Sequence, residues 1–178
     1  MKYALTIVLL LWAATSVVAD EPTPAQEAAY TAAESKIYSM QLAACDFEFQ
    51  YGVLLDVQID EALANKLTAI TEGIEDQEAF DEGNALFNLG EQSRAAALAA
   101  ELDTIEPMAD ATAIWQDGLS EWNIGNYHAA TQIWADQNLT IASNATINTY
   151  NYGLGHITTG ITRFEGAAMA YFDSFYVP

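Results

Sequence analysis

The sequence predicts an all-α fold, a short α-solenoid of stacked helical hairpins with three clear units and one divergent N-terminal unit. Gly83, Gly118 and Gly153 stand 35 residues apart, and so do Gly90, Gly125 and Gly160. Each first glycine follows an aromatic residue by three positions, Phe80, Trp115 and Tyr150. The surrounding segments carry apolar side chains three and four apart, the spacing of one helical face, and no stretch makes a credible strand. With ten glycines in 178 residues, four pairs at a single lag exceed what composition supplies. A period between about 20 and 50 residues marks a stacked array.

Taken from the N-terminus, residues 1–19 read as a secretory leader. Lys2 supplies the positive charge, Ala4 to Ala14 the apolar run, and Val17 and Ala19 the small residues before a cleavage point. The run is too short to span roughly 30 Å of hydrocarbon as a helix, and with no second apolar run of sufficient length no membrane insertion is expected after cleavage. Residues 20–75 form N-terminal helices. A first amphipathic stretch, 25–42, follows Pro22 and Pro24 and aligns Ala29, Ala33, Ile37 and Met40. A loose hairpin over 43–72 has Phe49 three before Gly52, with Asp60 capping a second helix that stops at Gly73.

Residues 76–178 hold the clear units. Their first helices are expected at 76–88, 110–123 and 147–158, and their second helices at 91–102, 127–137 and about 162–176. Gly83, Gly118 and Gly153 fall inside first helices, where glycine costs about 1 kcal/mol against alanine and so implies close contact. Gly90, Gly125 and Gly160 fall at helix ends, where a left-handed backbone suits glycine. Asp103–Ala109, with Pro107, and Gln137–Ala145 are the expected turns between units.

Charge and cysteine usage bound the partners. Removing the leader leaves Lys36, Lys66, Arg94 and Arg163 against 25 acids, a net charge of −21. Nucleic acid is thereby excluded as a partner, and anionic membrane is disfavoured. Residues 20–121 hold 22 of the acids, whereas the last third is rich in aromatic rings. The single cysteine, Cys45, forms no internal disulfide. In an exported chain it is either a buried small apolar residue, the preferred expectation, or half of an interchain disulfide, and its setting AACDFEF fits both.

The repeat units resemble the tetratricopeptide repeat, a helical hairpin of about 34 residues. Gly83, Asn84, Ala85, Phe87, Leu89, Gly90, Ala95 and Pro107 follow that family's pattern in order. Gly118, Trp122, Ile124, Gly125, Tyr127, Ala130 and Trp134 follow it again. The third copy keeps Tyr150, Gly153, Gly155 and Gly160 but has Glu165 where a small residue of the second helix belongs. The resemblance covers about residues 76–176. It implies close packing at Gly83, Gly90, Ala95, Gly118, Gly125, Ala130, Gly153 and Gly160, and a concave face that holds peptides or proteins.

Catalytic patterns are lacking: there is no G-x-S-x-G, no H-E-x-x-H, no paired cysteines and no phosphate loop. The two histidines, His128 and His156, lie on helices of neighbouring units and read better as surface residues than as a joint site. The acidic run EGIEDQEAFDE over 72–82 lacks the spacing of a calcium loop and reads as a solvated face at a helix start. No cofactor or metal is expected. Asn138 and Asn144 head glycosylation sequons in the expected turn between the second and third units.

The sequence therefore predicts a secreted protein, periplasmic if the host is bacterial. It is expected to act as a non-catalytic interaction module for a protein or peptide of basic character. The alternative is a structural subunit that assembles end to end through Tyr171, Phe172, Phe175 and Tyr176, since a solenoid ordinarily ends in a polar cap.

Overall fold

The computed structural model describes residues 21–176, and the expected leader lies outside them. The described residues are all-α, without a strand: α1 (Pro24–Phe49), a π-helical turn (Gln50–Leu55), α2 (Asp56–Glu72), α3 (Gln77–Asp103), α4 (Ile105–Asn123), α5 (Tyr127–Asp136) and α6 (Leu139–Phe175).

The chain's own chemistry explains the starts. Thr23 and Gln26 form a reciprocal capping box ahead of Pro24 in the first turn. Asp76 caps α3, its carboxylate accepting from the Ala79 N–H at 3.0 Å. Gly73, at φ 110°, ends α2. Gly125, at φ 83°, makes the sharp turn between α4 and α5. Asn138 stands in the left-handed region just before α6, a conformation asparagine tolerates better than most residues.

Three rods result. The first runs through α1, the π turn and α2. The second comprises α3 and α4, interrupted only at Thr104, and the third is α6, about 55 Å long at 1.5 Å per residue. The third lies along both others. Gly153, Phe164 and Tyr171 meet Ala100, Gly90 and Gly83 in turn, so α6 runs antiparallel to α3. Tyr150, Gly160 and Ala168 meet Phe47, Leu55 and Asn65, so it runs parallel to the first rod.

Two cores follow. Phe47, Leu55, Ile157, Phe164 and Tyr171 centre the larger one. Tyr30, Trp115, Trp122 and Trp134 surround the smaller, where Tyr30 lies 4.8 to 5.8 Å from the three indoles. Burying one ring such as Phe164 contributes about 1.5 to 3 kcal/mol.

Several expected boundaries change. Of the hairpins, the second, α4 and α5 around Gly125, forms with nearly its expected limits. Gly90 and Gly160 end no helix: both are buried in mid-helix, one beneath the Phe164 ring and the other against Leu55. The helix continues because that close approach offsets the propensity cost of glycine.

The divergent N-terminal hairpin does not form either. Asp60 lies within α2, and Gly52 sits in the π turn with no atom near its missing Cβ. Pro107 falls in the first turn of α4, where its lack of an N–H costs little, so the expected 103–109 turn shrinks to Thr104. The expected 137–145 turn shrinks to Gln137 and Asn138. The Ser143 and Thr146 hydroxyls donate to the carbonyls of Leu139 and Ala142, which satisfies them inside the helix.

Candidate interaction groove

An open groove of about 650 Å³ runs between α2 and the C-terminal third of α6. The α2 wall carries Gln58, Glu61 and Asn65, successive positions of one helical face. The α6 wall carries Glu165, Ala168, Met169, Phe172 and Asp173, which recur at three and four residues. Asn65 fixes the two walls together by donating from Nδ2 to the Ala168 carbonyl at 3.0 Å. Met169 is 68% exposed and Phe172 42% exposed, so the floor is apolar and open to solvent. Phe172 is itself held by Phe175 and Tyr176, at centroid separations of 5.3 and 5.1 Å.

Three carboxylates rim this floor, Glu61, Glu165 and Asp173, and none has a basic partner. Among the described residues the one ion pair is Arg94 with Glu91, at 3.6 Å. Lys66, next to Asn65 on α2, turns inward. Its ammonium stands 5.3 Å from the Tyr171 ring centre and 5.6 Å from that of Phe87. Arg163 donates to the Leu89 carbonyl and the Ser93 hydroxyl.

The residues singled out in the sequence fall in several places. The rings of Tyr171, Trp134 and Phe47 lie over Gly83, Gly118 and Gly153. Ala130 is fully buried beside Trp134, but Ala95 is exposed, and Ala97 and Ala100 fill the core in its stead because they face α6. Cys45 is exposed on α1, not buried.

Tyr171 is core, not surface: it is 0% exposed and its hydroxyl donates to Asn84 Oδ1 at 3.1 Å. Burial pushes its phenol up to about 12. Of the expected assembly surface, Phe172 and Tyr176 are exposed and Phe175 half-buried. Asn138 lies at the turn, whereas Asn144 sits on the second turn of α6; both are exposed. His128 on α5 and His156 on α6 share no hydrogen bond, and His156 instead packs edge-on to Tyr152 at 4.6 Å. No group of three or more histidine, cysteine or carboxylate side chains converges as metal ligands among the described residues. Among them, too, no helix is long and apolar enough to cross a membrane.

Sequence reasoning missed Glu61, Asn65 and Met169. The available signal was Glu165, an acid set among small apolar residues with Met169, Phe172 and Asp173 following on the same helical face. Comparison with family models, curated proteins and solved structures finds no match for the chain.

Proposed function

We propose that the protein is a secreted, acidic helical interaction module that holds a protein or peptide partner of basic character and catalyses no reaction. One observation carries the reading: exposed Met169 and Phe172 lie among carboxylates that no lysine or arginine of the described chain neutralises. Apolar contact supplies affinity in such an arrangement, and unpaired charge supplies orientation and approach. Secretion rests on the leader pattern of residues 1–19. Kinship with tetratricopeptide repeats, and a solenoid arrangement of the helices, belong to the same proposal. Both are supported by the 35-residue spacing and by the α4–α5 hairpin that turns at Gly125.

Titration calorimetry with a basic polypeptide such as poly-lysine, at low and high salt, tests this reading. Binding that weakens as salt rises is expected. Absence of binding at low salt would remove the basic partner.

The second reading, a self-assembling subunit, is favoured by the exposed row Tyr38, Leu42, Phe49, Val53 and Val57 along the first rod. Light scattering across a concentration series decides it. A constant monomer mass ends the assembly reading, and growth with concentration establishes it.

A further inference from the structure

We infer that the groove between α2 and α6 is the seat of a short, cationic amphipathic helix from a partner protein. This inference rests on the interaction-module reading and adds where, and in what conformation, the partner binds. The α6 wall presents acid, alanine, methionine, phenylalanine and acid at 165, 168, 169, 172 and 173. That order repeats at i, i+3, i+4, i+7 and i+8, the pattern with which one helix meets another. It spans about 12 Å at 1.5 Å per residue, or roughly two turns.

Since α6 and α2 run parallel and Asn65 ties them at the floor, the missing element is a further helix laid along them. Its apolar side chains would cover Met169 and Phe172. Its lysines or arginines would reach Glu165 and Asp173 at the two ends and Glu61 on the opposite bank.

Charge selects this occupant over a second copy of the chain. Of the four basic residues past the leader, Lys66 lies over two rings, Arg94 pairs with Glu91 and Arg163 is bonded to Leu89 and Ser93. Only Lys36 is left to meet three carboxylates, and two chains of net charge −21 repel. A metal ion is disfavoured as well, because the carboxylates do not converge on one point.

The test uses the purified protein and three labelled synthetic peptides of about twelve residues, the length of three helical turns. One places leucines on a single helical face flanked by lysines, the second scrambles that sequence, and the third replaces lysine by glutamate. The methyl resonance of Met169 is followed alongside binding anisotropy. Expected are binding of the first peptide alone with a shift of the Met169 methyl, at least tenfold weaker binding to Met169→Lys, and several-fold weaker binding to Glu165→Gln/Asp173→Asn. All three substituted side chains are exposed, and circular dichroism checks that the variants stay folded.

Equal binding of the scrambled peptide, or unchanged binding to both variants, would overturn the groove while leaving a basic partner in place elsewhere. No binding of either cationic peptide would overturn the groove together with the reading beneath it. Binding of the glutamate peptide as tightly as the lysine peptide would overturn the charge argument.

Discussion

The indole of Trp134 lies directly over Gly118, so close that a methyl group at position 118 would overlap the ring. The same indole donates from Nε1 to the Trp115 carbonyl at 3.3 Å. Helix α5 is thereby seated on α4 through a contact that only glycine permits. Gly118→Ala is expected to destabilise the protein by about 1 to 3 kcal/mol through overpacking. Gly155, also within a helix, has no atom within 4 Å of its missing Cβ. Gly155→Ala is expected to stabilise by up to about 1 kcal/mol through helix propensity. Thermal unfolding followed by circular dichroism compares the two, and shifts of the same sign would contradict the packing described.

Tyr171 should link stability to alkaline pH. Its phenol rises from an ordinary value of 10.0 to about 12 because burial disfavours the charged form. Below about pH 10 folded and unfolded chains both hold the proton, and the contribution is fully present. Between about 10 and 12 the folded chain keeps a proton that the unfolded chain releases, so stability falls as pH rises and the contribution is gone above 12. Ultraviolet titration should show Tyr171 ionising late, with Tyr30 shifted in the same direction by its burial and by Glu34. Tyr171→Phe should lose that late step, along with about 1 kcal/mol from the bond to Asn84.

Cys45, exposed on α1, should react with a small thiol reagent in the native protein at nearly the rate found in denaturant. Reaction that waits for unfolding would restore the buried alternative.

Expression in a eukaryotic secretory host should add glycan at Asn138 and Asn144, both exposed. Mass spectrometry of Thr140→Ala and of Asn144→Gln should each lose one glycan. Thr140→Ala is the cleaner change at the first site because Asn138 itself holds a left-handed backbone. Asn144→Gln is cleaner at the second because Thr146 is buried. Unchanged mass in either variant would show that site to be bare.

Helical character was legible because apolar spacing follows from 3.6 residues per turn, whatever the tertiary partner. Helix ends were not. A glycine looks the same in sequence whether it stops a helix, as Gly125 does, or admits the ring of a neighbour, as Gly90 admits Phe164. Only the facing rod decides. Hydroxyl-rich 137–145 read as a turn, yet Ser143 within it and Thr146 just past it each bond back to a carbonyl four residues earlier and so carry α6 through. The groove was hidden for a related reason. Asn65 and Ala168 meet across 103 positions, and no local pattern announces that two distant helices run side by side.

The place of α6 along both other rods should make unfolding of this protein all-or-none. The carbonyl of Ser174, near its last turn, accepts the N–H groups of both Glu75 and Asp76, which fastens that end to the bend between the first and second rods. An array of independent repeats can shed its final unit and keep the rest. Here α6, which follows the other described helices in the chain, supplies Tyr150, Ile157, Phe164 and Tyr171 to the core that α1, α2 and α3 line from the other sides. A nascent chain should therefore keep its apolar faces uncovered until α6 emerges, and a premature stop codon within α6 should leave no shortened version of this fold.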